Sequence, residues 1–336
     1  MKKSWIYIFL CSFIGYSQTG GESVFNFLNL SSSARQTALG GNVLTILDNV
    51  NQPIWNPSSI NNSIDNNLAV NYVNYLADVS ITSVSFAHTI SRQIGTFHTN
   101  ITYLNYGKFI GADETGLETG SFKAYDFMFS LGYSYNILNS DFYIGANVKV
   151  INSVIENYSS FGIGGDLALL FSNEYVPYVF TVVIRNLGYQ LTTYDNNREK
   201  LPFQVDFGAS YKLENVPLTW YFTIDNLQQW QLAYSNPSNQ LVDLNGNVTQ
   251  EKISFLDNAF RHISVGAELF SEGAFNLRFG YNFRRAKELR FIDQRSFAAF
   301  TAGFGLKMNK FKLNYSFSKY HPASNSSTFS LLINLN

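Results

Sequence analysis

From Leu68 to the end of the chain, apolar side chains fall on every second position. Phe203, Val205, Phe207, Ala209, Tyr211 and Leu213 alternate with Gln204, Asp206, Gly208, Ser210 and Lys212. Phe275, Leu277, Phe279, Tyr281 and Phe283 alternate with Asn276, Arg278, Gly280, Asn282 and Arg284. Phe311, Leu313, Tyr315 and Phe317 do the same against Lys312, Asn314 and Ser316. Period two is the spacing of a strand with one apolar and one polar face. Such runs start near Leu68, Ser80, Ile94, Ser121, Asp141, Ser160, Pro177, Pro202, Leu218, Asn258, Ala274, Ala298, Lys310 and Ser327, about fourteen in all. The longest reach the roughly 9–11 residues that a strand needs to cross the apolar band of a bilayer, whereas strands of soluble sheets average about 5–6.

The links between these runs sort by parity. After the even-numbered runs they are tiny, near 91–93, 138–140, 173–176, 214–216, 271–273 and 308–309. After most odd-numbered runs they are longer, at 107–120, 191–201, 228–257, 285–297 and 319–326, with short exceptions near Asp78 and Asn157. A soluble sandwich has no reason to sort its loops in this way. Tight turns at one end and long loops at the other are the layout of an outer-membrane barrel. The pattern therefore predicts an all-β chain, a transmembrane antiparallel β-barrel of about 14 strands. The final alternation, Phe329, Leu331, Ile333 and Leu335, suits a closing strand, although it ends on Asn336 rather than on an aromatic residue.

Residues 18–67 do not alternate. Ser31, Ser32 and Ser33 could cap a helix carrying Ala34, Ala38 and Leu39 at helical spacing. A Gly40–Gly41 break follows, then Leu44, Ile46 and Leu47, then Trp55-Asn56-Pro57-Ser58. This segment is expected to be a compact plug, or hatch, inside the lumen of the barrel formed by residues 68–336. Residues 1–17 read as a signal peptide, with Lys2 and Lys3 at its start, an apolar run from Trp5 to Ile14, and Gly15 and Ser17 before a cut that leaves Gln18 first.

Composition agrees with a wall that has one greasy and one wet face. The chain is 16% aromatic and only 14% charged, against roughly 25% charged for ordinary soluble domains. Its mean hydropathy is −0.06. The formal net charge of −1 comes without a basic patch, so no nucleic-acid partner is expected. Cys11 lies within the signal peptide and is preceded by Leu10, not by the small residue that lipidation there would need.

Candidate chemistry is sparse. His88, His98, His262 and His321 lack metal-ligand spacing. Ser316-Phe317-Ser318-Lys319 matches S-x-x-K, but that motif needs a helical turn to bring Lys to Ser, and here it falls on a strand. Gly162, Gly164 and Gly165 have no helix after them and suit a bend in a barrel wall. Asp206, Asp225, Glu268, Arg278 and Arg284 read as a lumen network. Tyr133, Tyr135, Phe142, Tyr143, Trp220, Tyr221 and Tyr281, near strand ends, suit interfacial girdles. No catalytic residue, metal site or cofactor follows from any of these.

The plug segment carries a resemblance. Arg35, Ala38-Leu39-Gly40-Gly41, Asp48 and Trp55-Asn56-Pro57-Ser58 resemble the N-terminal signature of FadL-like outer-membrane proteins of Bacteroidetes. There an Ala-x-Gly segment leads to an Asp and then to an Asn-Pro-small step, usually with Ala where this chain has Ser58. The opening Gly20-Gly21-Glu22-Ser23-Val24-Phe25-Asn26-Phe27-Leu28 resembles those members that serve the type IX secretion system. The resemblance is specific over residues 20–60 and extends to the remainder in layout alone. It implies a FadL-like barrel in outer-membrane lipid that is not an enzyme. Its implied partners are a PorZ-like surface protein and the other attachment-complex components, PorU and PorV. An alternative is a FadL-type transporter of long-chain hydrophobic compounds. An outer-membrane enzyme is a third, weaker possibility, for which no constellation exists. The longest link, 228–257, offers Trp230, Tyr234, Leu241 and Leu244 as partner contacts, and 107–120 is the next candidate.

Overall fold

The computed structural model describes residues 23–91, 93–137, 140–233, 241–242, 248–249, 253–289, 297–321 and 324–336. The signal peptide and Gln18 lie outside the described residues. Fourteen antiparallel strands close into one barrel. They are β1 (Asn67–Leu76), β2 (Val79–Ser91), β3 (Gly95–Ala112), β4 (Glu118–Asn136), β5 (Phe142–Ile155), β6 (Tyr158–Ser172) and β7 (Tyr178–Thr192). There follow β8 (Gln204–Lys212), β9 (Leu218–Ile224), β10 (Ile263–Leu269), β11 (Phe275–Asn282), β12 (Phe300–Met308), β13 (Phe311–His321) and β14 (Ser324–Asn334). Each strand pairs with its neighbour in sequence. The ring shuts where β14 pairs with β1, from Asn67 opposite Asn334 to Asn74 opposite Ser327. The last strand is thus the closing strand.

Alternation sets the two faces. On β11, Phe275 and Phe279 face out while Asn276 and Arg278 are wholly buried within the bore. On β8, Asp206, Gly208 and Ser210 point in, and Phe207 points out beside Phe180 of β7. On β13, Leu313 and Phe317 face out while Asn314, Ser316 and Ser318 face in. The usual order of a soluble core is therefore inverted. Buried wall positions are mainly Asn, Ser, Thr and charged groups, and the large apolar side chains line the outside. That is the arrangement of a wall bathed in hydrocarbon.

Strands β9, β10 and β11 have only 7, 7 and 8 residues. Their ladders are extended by bonds from Phe270 N–H to Pro217 O and from Asp225 N–H to His262 O. At one end of the barrel every link is tight. Among the described residues, the other end carries 193–203, 225–233, 253–262, 283–289 and 297–299.

Two expectations change. The strand expected to start near Asn258 starts at Ile263, because Phe255–Arg261 forms a helix, α2, capped by Ser254, whose side chain accepts from Asp257 N–H. The alternation through Phe283 and Arg284 also ends early. Phe283–Glu288 is a helix, α3, whose start is capped by the Asn282 side chain. In both cases a capping residue stops a pattern that hydrophobicity alone would continue. Two of the expected girdle residues, Tyr143 and Tyr221, lie on the inward face. Tyr221 is buried and donates to Glu268.

Phe207 faces mid-wall, so Phe207→Arg is expected to disfavour insertion by roughly 2–4 kcal/mol. Urea titration of folding into lipid vesicles, followed by heat-modifiable gel mobility, checks this. An unchanged midpoint would mean that the faces are assigned the wrong way round.

Candidate functional site

Polar side chains from many strands converge in the bore, and residues 23–66 fill it. A short helix, α1 (Ala34–Ala38), lies against β12, β13 and β14. Ser33 stands at its N-cap, but its side chain makes no cap bond. The wall supplies the bond instead. Ala34 N–H donates to Ser330 Oγ at 2.9 Å, and Thr301 Oγ1 donates to Ala38 O at the other end. Gly40 and Gly41 follow with φ of +108° and +105°, a backbone region that side chains disfavour. They turn the chain away from the wall after the helix.

Arg35 is the centre of the first charged group. Its Nη1 meets Asp48 Oδ1 at 2.6 Å and its Nη2 meets Glu268 Oε2 at 2.7 Å. The other oxygen of Glu268 receives Arg278 Nε at 2.8 Å, and Tyr221 OH donates to Oε2 at 3.1 Å. Glu268 and Arg278 are completely buried, whereas Asp48 is more than half exposed. Two cations and two carboxylates balance, so the group carries no net charge. One carboxylate on β10 thus holds both a wall residue of β11 and the plug.

Trp55-Asn56-Pro57 makes the second anchorage. Asn56 is fully buried and uses its side chain on both sides. Nδ2 donates to Leu44 O at 2.7 Å and to Thr181 Oγ1 of β7 at 3.2 Å, while Oδ1 accepts from Ser58 N–H and Oγ. The Trp55 ring packs on Leu44, Ala168 and Val183 and lies 4.1 Å under the Arg185 guanidinium. Arg185 in turn pairs with Asp206 at 3.0 Å. Beside it, Lys149 pairs with Asp166 at 2.7 Å, and Asn147 bridges Asp166 to Pro53 O of the plug.

Glycines on the wall receive the plug backbone. A Cβ at Gly145 would overlap Pro57 and Ser58, one at Gly280 would overlap Leu39 and Gly40, and one at Gly266 would press on Leu39. At Gly303 and Gly208 the occupants are Ala38 and Leu44, and at Gly162 the ring of Phe25. Plug and wall are keyed to one another around the ring. Gly162 therefore makes room for Phe25, and Gly164 approaches Leu201.

Of the residues singled out in the sequence, Arg35, Gly40, Gly41, Asp48, Trp55, Asn56 and Pro57 all lie in this segment: Arg35 and Asp48 in the Glu268 group, Gly40 and Gly41 beside Ser264, Gly280 and Arg285, and the last three against β5, β6 and β7. Asp206, Glu268 and Arg278 line the bore. Asp225 and Arg284 pair with each other at the long-loop end. Lys149, Asp166 and Arg185 were missed, although a lysine between Val148 and Val150 is a polar-face signal. Ser316 and Lys319 lie on opposite faces of β13, which removes any S-x-x-K geometry. His98 Nε2 meets Val50 O, His262 meets the carbonyls of Asp225 and Trp230, and His88 meets Asn66. Trp230 is half exposed and stacks on Phe255 and His262. Tyr234, Leu244 and the side chain of Leu241 lie outside the described residues, although Leu241–Val242 pairs with Val248–Thr249.

The wall and its contents define a class of protein: a closed barrel of transmembrane type, with a bore filled by its own N-terminal segment. The chain is similar to the deltaS2 mutant of the monoaromatic hydrocarbon channel TodX, with a TM-score of 0.53 and 13% identity over 89% of this chain and 97% of that one. It is similar also to the Pseudomonas putida toluene transporter TodX, with a TM-score of 0.52 and 12% identity over 90% and 97%. The fold is that of the FadL-like outer-membrane barrels. These two neighbours are a hydrocarbon channel and a toluene transporter. No protein-family model matches the sequence, and no curated protein does.

Glu268→Gln strips both guanidinium groups of their shared carboxylate and is expected to lower unfolding stability in lipid by about 3–5 kcal/mol. Urea unfolding checks it, and a loss below 1 kcal/mol would contradict the clamp. Gly280→Val is expected to dislodge residues 38–41. Trypsin should then cut after Arg35, which is shielded in the wild type, while the barrel keeps its heat-modifiable mobility.

Proposed function

We propose that this chain is a PorQ-like component of the type IX secretion system, a plugged outer-membrane anchor that holds a soluble PorZ-like partner at the cell surface. PorU and PorV would be its neighbours in the attachment complex. The observation that carries the proposal is the way the bore is occupied. The plug is clamped by an ion pair with β10 and, through Trp55 and Asn56, by β7, and its backbone sits where wall glycines leave no spare volume. A lumen so tightly filled suits a fixed scaffold whose function resides on its long-loop end. The signature residues, from Arg35 to Pro57, are the ones that build this clamp, and the resemblance of residues 20–28 supplies the secretion assignment.

A second function, passage of long-chain or aromatic hydrophobic compounds, is supported by the shared fold and by one feature of the bore. Phe25, Phe27 and Leu28 fill an apolar chamber walled by Val73, Ile81, Leu104, Met128 and Ile151. Withdrawal of the N-terminal residues would leave a greasy pocket in an otherwise polar lumen.

Purification from native outer membrane in mild detergent separates the two. The PorZ-like protein is expected to co-purify in stoichiometric amount, and liposomes carrying the pure barrel are expected to take up radiolabelled toluene or oleate no faster than empty ones. Uptake well above empty liposomes, with no PorZ-like protein recovered, would reverse the order of the two functions.

A further inference from the structure

The hairpin of β3 and β4 is longer than its neighbours require. β2 pairs with β3 only as far as Ser80 opposite Asn105, and β5 pairs with β4 only as far as Ala124 opposite Ile155. Beyond those points β3 and β4 pair only with each other, from Lys108 opposite Lys123 to Ala112 opposite Glu118. A two-stranded ribbon therefore stands beyond the rim by up to roughly 20 Å, at about 3.3 Å per residue. Phe109 and Phe122 stack across it, with ring centroids 5.2 Å apart. Asp113 accepts from Thr115 Oγ1 and from the Thr115 and Leu117 N–H groups. Those bonds, the Thr115 hydroxyl foremost, hold its carboxyl below the usual range and keep the tip charged.

Among the described residues, no strand lies beside either long edge of this ribbon. Lys123 O accepts from Glu156 N–H in the β5–β6 turn, so Lys123 directs its backbone groups towards that side. Two residues on, Ser121 directs its own N–H and C=O the same way, where no strand lies among the described residues. A bulge at Thr119 adds an unpaired residue to the same edge. Under the edge lies a cleft of ≈ 500 Å³, lined by Ser121, Lys123, Tyr125, Val154 and Glu156. Asp113, Glu114, Glu118 and Glu156 set four carboxylates against Lys108 and Lys123 on the ribbon and its base.

We infer that the β4 edge of this ribbon is the docking site for an extended segment of the soluble partner, added as a further strand above the β5–β6 turn. Unpaired main-chain groups supply the bonds of β-augmentation, and pockets for alternate side chains select the segment. An apolar side chain enters the cleft between Tyr125 and Val154, and basic side chains beside it meet Glu118 and Glu156. An unprotected edge of this length is otherwise a template for aggregation. The partner's strand covers it. This inference rests on the anchor function proposed above, and it places the contact on the ribbon rather than on the loop that carries Trp230.

The test uses the full-length barrel in lipid nanodiscs and the purified PorZ-like protein. Replacing residues 110–121 by Asn-Gly joins Phe109 to Phe122, a pair whose backbone groups face each other, through a two-residue turn suited to a hairpin and removes most of the ribbon with its free edge while leaving the wall intact. Binding is expected to weaken at least tenfold, and Glu118→Lys is expected to slow association severalfold at low salt. Hydrogen exchange on the wild-type complex is expected to protect the Ser121 amide. Wild-type affinity in the shortened variant, or protection confined to other loops, would overturn the ribbon site alone. Failure of the wild-type barrel to bind at all would overturn the anchor function together with it.

Discussion

A carboxylate that water cannot reach must be satisfied by the protein, and Glu268 is satisfied from two directions. Moving an ion of that size into a medium of low dielectric constant costs several kcal/mol even after relaxation. The wall alone meets one oxygen with the Arg278 cation and the other only with the neutral Tyr221 hydroxyl; the plug brings a second cation, Arg35, to that oxygen. Without the plug, Glu268 would keep one guanidinium and a wet bore. With the plug seated, the group is neutral, and Glu268 and both guanidinium groups are buried. The barrel and the N-terminal segment are thus electrostatically incomplete apart, which explains why the otherwise neutral helix α1 carries a basic residue at Arg35.

The same logic repeats around the ring with less charge. Asn51 and Asn71 exchange a pair of amide bonds, and Asn71 continues through Ser83 to Ser32. Each bond contributes only about 1 kcal/mol net, but an amide left alone in the bore would cost more than the bond is worth. The wall glycines add shape to chemistry. Where the plug runs as bare backbone, at residues 39–40 and 57–58, the wall loses its side chains at Gly280 and Gly145. Backbone can then meet backbone without the void that larger residues would prop open.

Much of the wall could be seen in the sequence because lipid and lumen impose opposite preferences on adjacent residues. Asn276, Arg278 and Gly280 between Phe275, Phe279 and Tyr281 carry that signal without ambiguity, and all but one of the strand starts fell close to their places. The failures come where a local cap overrules the pattern: Ser254 begins a helix and delays β10, and Asn282 begins another at Phe283. Tyr221 misled for a different reason. A tyrosine is as much at home at the membrane surface as in a polar bore, and only its partner, Glu268, distinguishes them. The partners themselves were out of reach, because Arg35 and Glu268 are separated by 233 residues and nothing local joins them.

A filled bore changes what the rest of the molecule is free to do. If the plug is held by a buried ion pair at one side and by Asn56 at another, a conduit would require both to break together. Variation at the rim is under no such restriction. The links at the tight end contain only a few residues, whereas the other end carries two helices, a small ladder and a ribbon that outruns its neighbours. Strand length beyond the rim adds nothing to crossing a membrane, since about 9–11 residues suffice and β4 has 19. The surplus exposes hydrogen-bonding groups that soluble proteins normally hide. The Phe109 and Phe122 rings stack across it and its two strands pair in register, and a segment already in its bound shape binds at lower entropic cost.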